Sequence, residues 1–326
     1  MDTSELAVVV IGRNEGERLR RCLMSVCRPG TPVVYVDSGS TDGSIALARA
    51  MQADVVELDM RLPFTAARAR NAGWRRVREV APPARLVQFV DGDCEVWPGW
   101  LDAARQHLAA HPQVAVVAGR LRERHPERSI YNQLCDIEWD TPVGAAKAVG
   151  GIAMVRIDAL VTTGGFREDL IAGEEPELCV RLRAAGWTVW RLDADMAWHD
   201  AAMTRFSQWW RRTVRAGFAF AEGAPLHGRP PERHWVRESR SALAWGLVLP
   251  LAIVALAFVF GPRALWLALV YPLQVLRLFL HESGAARTRA ARAFFLVLGK
   301  FAEALGELHY TLRRWRGGPA QIIEYK

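Results

Sequence analysis

Two carboxylates, Asp91 and Asp93, follow an apolar run and are separated by a single glycine. Side chains at positions i and i+2 of an extended strand point to the same side, so this pattern can direct both carboxylates toward one point. Two converging carboxylates repel each other unless a cation lies between them. Hard divalent cations such as Mg²⁺ or Mn²⁺ bind oxygen ligands of this kind and commonly hold a substrate's phosphates as well. Taken alone, Asp-Gly is also a strong hairpin signal, and the pair would then belong to a surface turn.

Short apolar runs alternate with helical patterns along the first part of the chain. The apolar runs span residues 6–11, 32–36, 55–58 and 86–90, and the helical patterns span residues 17–26, 44–51 and 64–80. This alternation predicts β-α-β units on a parallel sheet. Ligands of such sheets bind beyond the carboxyl ends of the strands. Because Arg13, Asp37 and Asp91 each follow an apolar run, we expect a site at this edge.

The composition narrows the class of protein. The chain has 326 residues, of which 51% are hydrophobic, so one large domain with an appendage is expected. The GxGxxG dinucleotide fingerprint and the P-loop motif are missing, which disfavours a Rossmann dehydrogenase or a P-loop NTPase. The five cysteines include no CxxC pair, so neither a zinc site nor a disulfide framework is indicated and a reducing compartment is expected. The first residues lack the basic region of a signal peptide.

A long apolar segment follows the most basic part of the chain. Residues 201–240 hold eight arginines and three acids, and so contribute +5 of the net charge of +7. Residues 241–260 carry no charge, residues 261–263 break the run, and residues 264–280 form a second apolar stretch that contains Arg277. The first stretch is long enough to cross a bilayer, and basic flanks on both sides place both ends of the hairpin in the cytosol. A buried helical hairpin in a soluble domain is the alternative.

The segments on either side of this hairpin lead to two further expectations. No nucleic-acid-binding motif accompanies the basic block, so attraction to a membrane surface explains its charge better than a nucleic-acid partner. Residues 294–312 form an amphipathic pattern that includes Lys300, Glu303 and Glu307. This pattern favours a helix at the membrane interface over a third span.

Six short motifs occur in a fixed order. They are VVIGRNE at residues 9–15, VDSGSTDGS at 36–44, ARNAG at 69–73, DGD at 91–93, GEEPELC at 173–179 and QWWRR at 208–212. In this order the chain resembles the family 2 glycosyltransferases, which are GT-A fold enzymes that use nucleotide-diphospho-sugars. The last motif is only loosely similar to the QxxRW motif of processive members.

The resemblance implies a fold and a domain layout. It implies an α/β fold of the GT-A, Rossmann-like type, with a mixed sheet flanked by helices, followed by a transmembrane helical hairpin and an amphipathic helix. We expect a catalytic domain at residues 1–225, a basic juxtamembrane linker at 226–240, a membrane hairpin at 241–280 and an amphipathic tail on the cytosolic face at 281–326.

The resemblance also implies roles for single residues. Asp37 is expected to bind the base, Arg70 the diphosphate, Asp91 the ribose and metal, and Asp93 and His199 the metal. Arg13, Glu15 and Gly151 are further expected contacts of the nucleotide sugar, and Gln208, Trp209, Trp210, Arg211 and Arg212 are expected contacts of the acceptor or the membrane interface. Glu175 occupies the place of the family's aspartate base, and Glu174 competes for that role. The alternatives are a structural role for His199 and a helix-dipole role for the two glutamates.

These expectations combine into one functional hypothesis. The chain is expected to be an inverting glycosyltransferase of the bacterial inner membrane, with its catalytic domain in the cytosol. It would use Mg²⁺ or Mn²⁺ and a nucleotide-diphospho-sugar, with a UDP-sugar favoured, and a lipid-linked or saccharide acceptor. Two alternatives remain open at this stage: a metal-dependent nucleotidyl- or phosphotransferase, and a non-catalytic membrane scaffold with a decayed transferase domain.

Overall fold

The computed structural model describes residues 5–317, which form two compact units that divide after Ala202. The expected catalytic domain ends at residue 225, so the observed division lies 23 residues earlier. The difference arises because the helix Phe206–His227 packs along the helix Ala286–Arg316 and therefore belongs to the second unit.

The first unit is built on one mixed sheet of nine strands. The strands are β1 Leu6–Gly12, β2 Val33–Asp37, β3 Asp54–Glu57, β4 Leu86–Asp91, β5 Cys94–Val96, β6 Val114–Glu123, β7 Gly144–Ala145, β8 Ala153–Arg156 and β9 Thr188–His199. The strand order is β3-β2-β1-β4-β8-β6-β9-β5, and β7 pairs with β9. Strands β3, β2, β1 and β4 are parallel, β8 is antiparallel to both of its neighbours, and β6 is parallel to β9. The mixed sheet that the resemblance implied is therefore confirmed, whereas the apolar alternation had predicted only its parallel part.

In the described part of the first unit, seven α-helices flank this sheet, together with a 3₁₀ segment Pro126–Arg128. The α-helices are α1 Glu17–Val26, α2 Ser44–Ala50, α3 Ala66–Val80, α4 Trp100–Ala110, α5 Ile130–Glu138, α6 Ile157–Thr163 and α7 Glu174–Ala184. Helix α3 begins at a side-chain cap, because Thr65 accepts a hydrogen bond from the backbone N–H of Arg68. It closes onto β1 through Gly73, where a Cβ would lie 2.3 Å from Cγ1 of Val9. The glycine of the ARNAG motif thus sets the distance between this helix and the sheet.

The second unit consists of helices. They are α8 Phe206–His227, α9 Val236–Leu243, α10 Leu249–Phe260, α11 Val270–His281 and α12 Ala286–Arg316, with a π-helical segment Ala244–Val248 between α9 and α10 and a 3₁₀ segment Pro262–Leu269 before α11. By length and composition alone, two helical stretches could cross a membrane: Val236–Phe260 and Pro262–His281. These stretches contain the expected hairpin of residues 241–280.

Helix α12 covers the predicted amphipathic tail as far as Arg316, and residues 318–326 lie outside the described part of the chain. One face of α12 packs closely on α8, since a Cβ on Gly306 would lie 2.1 Å from the carbonyl oxygen of Val214. The same helix leaves Phe294 and Trp315 exposed, with 50% and 91% of their surface accessible. The amphipathic pattern therefore serves a helix–helix contact on one face and leaves large apolar side chains on another.

Candidate active site

The loops that follow β1 and β2 are joined by hydrogen bonds at the carboxyl edge of the sheet. The backbone N–H of Asn14 donates to Oγ of Ser40 at 2.9 Å, and its side-chain Oδ1 accepts from the N–H of Thr41 at 2.7 Å. Asp42 accepts from the N–H of Gly16 at 2.9 Å and from the hydroxyl of Ser44 at 2.6 Å. These hydrogen bonds lower the pKa of Asp42. The VVIGRNE and VDSGSTDGS motifs thus form one continuous, preorganised surface.

Asp37, which ends β2, is buried beneath this surface. Its Oδ2 accepts from the N–H groups of Gly39 and Ser40 at 2.9 and 2.8 Å, and its Oδ1 accepts from the hydroxyl of Tyr35 at 3.0 Å. Burial and the neighbouring carboxylate raise the pKa of Tyr35, which keeps its hydroxyl a donor. With 1% of its surface accessible, Asp37 organises the turn. The expected contact with the base would therefore use only the remaining lone pairs of this carboxylate.

Arg70 lies at the centre of an anionic cluster. Its Nη1 is 2.7 Å from Oε1 of Glu174 and 3.1 Å from Oε1 of Glu175, and its Nη2 is 3.0 Å from Oδ1 of Asp91. The three carboxylates outweigh the effect of burial and raise the pKa of Arg70. One positive charge therefore faces three carboxyl groups, and the cluster itself has no surplus positive charge for a diphosphate.

Gly151 provides the space that this cluster needs. A Cβ at this position would lie 2.1 Å from Nη2 of Arg70 and 3.0 Å from Oε1 of Glu175. Any larger residue would therefore displace the guanidinium or the carboxylate. The structure brings Gly151 together with the cluster, although the sequence alone assigned it to the nucleotide sugar.

The two glutamates at the start of α7 differ in environment. The Glu174 side chain is 4% accessible and pairs tightly with Arg70, whereas the Glu175 side chain is 17% accessible. Burial, reinforced by the neighbouring charge of Glu174, raises the pKa of Glu175 to about 7. A carboxylate with a pKa near neutrality is suited to accept a proton. Glu175 is therefore the better candidate for a proton acceptor, whereas Glu174 is held by its ion pair with Arg70.

The turn after β4 divides the aspartate pair. Strand β4 ends at Asp91 and β5 begins at Cys94, so Gly92 and Asp93 form a turn rather than a continued strand. The alternation argument for two carboxylates on one side of a strand is therefore wrong here. Asp91 faces Arg70, while the group whose ligand atoms lie within 4.8 Å of one another is Asp93, Cys94 and His199.

Within that group, Asp93 and His199 are the ligands that suit a hard divalent ion. Oδ2 of Asp93 lies 3.1 Å from Nε2 of His199. This is a hydrogen-bond distance, and it brings an oxygen and a nitrogen donor close enough to bind one divalent ion together. Burial raises the pKa of the Cys94 thiol well above its usual range, and this thiol contacts Oδ1 of Asp93 at 3.5 Å. Cys94 is therefore a protonated neighbour and not a ligand of choice for Mg²⁺ or Mn²⁺.

Several residues that support the site were missed by the sequence reasoning. The ring of Trp139 stacks on His199 at 4.7 Å between centroids. Glu123 accepts hydrogen bonds from the side chain of Asn132 and from the N–H of Ala201, each at 3.0 Å, which holds the chain just beyond His199. No local motif marks Trp139 or Glu123, because their roles depend on residues distant in sequence.

Asn71, within the ARNAG motif, is a second supporting residue. Its side chain accepts from the N–H of Phe166 at 2.9 Å and donates to the carbonyl of Phe166 at 2.8 Å and to Glu168 at 2.8 Å. It also accepts from Nε1 of Trp74 at 2.9 Å. Asn71 thus fixes the loop that precedes α7. The motif itself was the signal that could have identified this role.

The remaining predicted residues lie at the rim of the first unit or in the second unit. Arg13 is exposed after β1, and Glu15 pairs with Arg18 at 2.7 Å.

In the second unit Gln208 accepts from the N–H groups of Thr204 and Arg205 and so caps α8. Trp209 is buried against Phe295 of α12, Trp210 is partly buried, Arg211 is exposed and Arg212 is partly buried. Two residues of the QWWRR segment, Gln208 and Trp209, therefore stabilise the helical unit.

Comparison with known proteins supports the resemblance that the motifs indicated. A family model described as glycosyl transferase family 2 matches residues 7–148. A pre-mycofactocin glycosyltransferase from Mycobacterium tuberculosis is 28% identical over 245 residues, which are 70% of this chain and 49% of that protein. The chain thus spans about half the length of this relative.

Solved structures share the fold. A mannosyltransferase from Pyrobaculum calidifontis in complex with GDP-Man and Mn²⁺ superposes with a TM-score of 0.63 at 21% identity, over 93% of this chain and 87% of that one. TarS from S. aureus superposes with a TM-score of 0.53 at 16% identity, over 94% and 91% of the two chains. These similarities show a GT-A fold. The family match covers the segments that carry Asp37, Arg70 and Asp93, so over residues 7–148 the chain is similar to the family 2 glycosyltransferases.

Proposed function

We propose that the chain is an inverting glycosyltransferase that takes its sugar from a nucleotide-diphospho-sugar, with a UDP-sugar favoured. The observation that carries this proposal is the Arg70 cluster, in which a buried guanidinium holds Glu174 and Glu175 beside the aspartate turn. The mannosyltransferase of the same fold was solved with a nucleotide sugar and Mn²⁺, which agrees with this class of donor.

Glu175 is the proposed base. In an inverting transfer, the acceptor hydroxyl oxygen bonds to the anomeric carbon while the bond from that carbon to the nucleoside diphosphate breaks. The hydroxyl proton passes to the carboxylate of Glu175, whose pKa of about 7 suits this role. Glu174 is already paired with Arg70 at 2.7 Å, so it orients the guanidinium rather than accepting the proton.

The cluster gives Arg70 a different role from the diphosphate contact that the resemblance implies. Because three carboxyl groups already surround it, Arg70 is proposed to position Glu175 and Asp91 instead of binding the diphosphate as a free cation. Arg13, which is exposed at the carboxyl end of β1, is the proposed guanidinium for the donor's phosphates.

Asp93 and His199 would hold the Mg²⁺ or Mn²⁺ ion. Their closeness, at 3.1 Å, and their oxygen and nitrogen donors fit this assignment. When bound, the ion would offset the negative charge that develops on the departing diphosphate. Asp91 is proposed to contact the nucleotide and to pair with Arg70 rather than to bind the ion.

The two apolar helices are proposed to form a membrane hairpin with both ends in the cytosol of a bacterial cell. In their most apolar windows only 6% and 0% of the residues are buried, so they are not core helices of the second unit. Phe258 and Trp266, near the turn of the hairpin, have 87% and 71% of their surface accessible. A membrane anchor makes a lipid-linked acceptor the proposed acceptor class, with a saccharide as the alternative.

Donor binding and product analysis test this function. The full chain in detergent is heated with UDP- and GDP-sugars in the presence of Mn²⁺, Mg²⁺ or EDTA, because a bound donor raises the apparent stability by mass action. The stabilising donor is then incubated with lipid-linked and saccharide acceptors, and with pre-mycofactocin, for which the mycobacterial relative is named. We expect release of a nucleoside diphosphate and a product of inverted anomeric configuration.

Two outcomes would replace the proposal. Release of pyrophosphate from a nucleoside triphosphate would indicate a nucleotidyltransferase. Absence of stabilisation by every donor with metal present would favour the scaffold alternative, provided that Asp93→Ala leaves cellular glycans unchanged while deletion of the chain alters them.

A further inference from the structure

An open cleft of about 460 Å³ lies within the second unit, between the start of the first apolar helix and the end of the second. Arg237 lines it from α9, and Gln274, Arg277 and His281 line it from α11. Ser241 and Trp245, about one and two turns after Arg237, complete the lining together with Leu278. Trp245 belongs to the π-helical segment. The cleft therefore has polar groups from both helix ends and apolar groups beside them.

The cleft is positively charged and its arginines have no competing partners. Within residues 5–317, no Asp or Glu lines the cleft, and neither Arg237 nor Arg277 forms an ion pair. The nearby carboxylate of Glu282 is engaged by Arg292 at 2.6 Å. Two guanidinium groups in such an arrangement match the oxygens of a phosphate.

Two further side chains shape the cleft. Nδ1 of His281 donates to the carbonyl of Arg277 at 2.8 Å, which holds the ring against the end of the helix. The hydroxyl of Tyr271 donates to the carbonyl of Trp245 at 2.8 Å and links the two apolar helices below the arginines. A small inorganic anion would use only the basic rim, whereas an amphiphile would also cover the indole of Trp245 and the side chain of Leu278.

We infer that this cleft binds the phosphate monoester group of an anionic membrane lipid, with the lipid chain lying along the apolar helices. This inference rests on the proposed membrane hairpin, in which Arg237 and Arg277 lie at the same end and so at the depth of the lipid headgroups. It does not depend on catalysis by the first unit.

Lipid retention by the purified full chain tests the inference. Native mass spectrometry is used to count the lipids bound from mixed micelles of phosphatidylcholine with either phosphatidic acid or a polyprenyl monophosphate. We expect one lipid with a phosphate monoester group to be retained in preference to phosphatidylcholine, whose phosphodiester is balanced by its choline cation. Arg237→Gln combined with Arg277→Gln is expected to weaken this retention roughly tenfold or more, because each arginine contributes to the attraction.

A matched double variant separates a built site from general attraction. Arg240→Gln with Arg287→Gln removes the same charge from the same end of the hairpin, and neither residue lines the cleft. We expect this control to retain the lipid nearly as well as the unchanged protein. Comparison of the two lipids then shows whether the site prefers a polyprenyl chain.

Three results would overturn the inference. One is an equal loss in both double variants, which would indicate surface attraction alone. Another is equal retention of phosphatidylcholine by the unchanged protein, a measurement that needs no variant to fold. The third is competition by millimolar inorganic phosphate with no lipid retained, which would indicate a small-anion site. Donor-induced stabilisation, measured on the same samples, reports separately on the proposed glycosyltransferase function.

Discussion

Gly151 lies directly against the guanidinium of Arg70, and a Cβ at this position would overlap Nη2 at 2.1 Å. The same Cβ would lie 3.0 Å from Oε1 of Glu175. The absence of a side chain at one loop position therefore allows the charge cluster to form.

Gly151→Ala should consequently reduce the catalytic rate more than the stability of the fold. The added methyl group must displace Arg70 or the loop, at an expected cost of about 1–3 kcal/mol in the free energy of unfolding. Because the cluster positions the proposed base, we expect kcat to fall about a hundredfold. Thermal unfolding and transfer rates measure both effects.

Gly150→Ala is the matched control, because a Cβ on Gly150 would meet nothing within 4 Å. Its activity and stability should stay close to those of the unchanged protein. Equal activity of the two variants would show that the Arg70 cluster tolerates displacement and would remove its assigned role.

The acid limb of the pH profile should report on Glu175. This group accepts a proton only when ionised, and burial beside Glu174 raises its pKa to about 7 instead of the usual value near 4.5. The rate constant kcat/KM should therefore rise with pH up to about 7 and level off above it. Glu175→Gln should lower kcat by about a hundredfold to ten-thousandfold while donor binding is retained.

Glu174→Gln provides the contrast. Glutamine keeps an oxygen that can accept a hydrogen bond from Arg70, and Glu175 and Asp91 still neutralise the guanidinium, so a destabilisation of only about 1 kcal/mol is expected. The pKa of Glu175 should fall, because the charge of Glu174 helps to raise it. An acid limb with a midpoint near 4.5, or full activity of Glu175→Gln, would assign the base elsewhere.

The strands of the first half of the sheet could be predicted from sequence, whereas its second half could not. The apolar runs at residues 6–11, 32–36, 55–58 and 86–90 correspond to β1–β4. Strands β1, β2 and β4 are almost fully buried and therefore read as continuous apolar segments, whereas β3 lies at the sheet edge and is only partly buried. The insertion of antiparallel β8 between β4 and β6 depends on contacts between distant residues, which no local pattern records.

The candidate site, like the sheet, could be predicted from sequence only in part. The resemblance placed Asp93 and His199 at the same metal, but it did not predict that Arg70 pairs with Asp91, Glu174 and Glu175. The strand argument paired Asp91 with Asp93, whereas the turn at Gly92 directs Asp91 to Arg70 and leaves Asp93 with His199. That outcome follows from where β4 ends, and strand ends are poorly marked in sequence.

Metal dependence should separate Asp93 from its neighbour Cys94. Asp93→Asn removes a charged ligand and should weaken Mn²⁺-dependent stabilisation by the donor at least about tenfold. Cys94→Ala should leave this dependence unchanged, because Mn²⁺ prefers oxygen and imidazole ligands to a thiol. Thermal unfolding with donor across a Mn²⁺ titration measures the effect, and an equal loss in the two variants would make Cys94 a ligand.

Two glycines of α12 should respond in opposite directions to the same substitution. A Cβ on Gly306 would lie 2.1 Å from the carbonyl oxygen of Val214 on α8, whereas a Cβ on Gly299 would lie 3.5 Å from Cγ2 of Thr213, an ordinary contact. Gly306→Ala should therefore destabilise the second unit by about 1–3 kcal/mol, because neither backbone can yield without opening the helix pair.

Gly299→Ala should instead stabilise this unit by about 0.5–1 kcal/mol, since alanine restricts the unfolded chain and favours the helix. Thermal unfolding of both variants in the same detergent gives the two signs directly. If both variants were stabilised, the close approach of α12 to α8 at Gly306 would be wrong. If both were destabilised, Gly299 would lie in a tighter contact than the 3.5 Å separation allows.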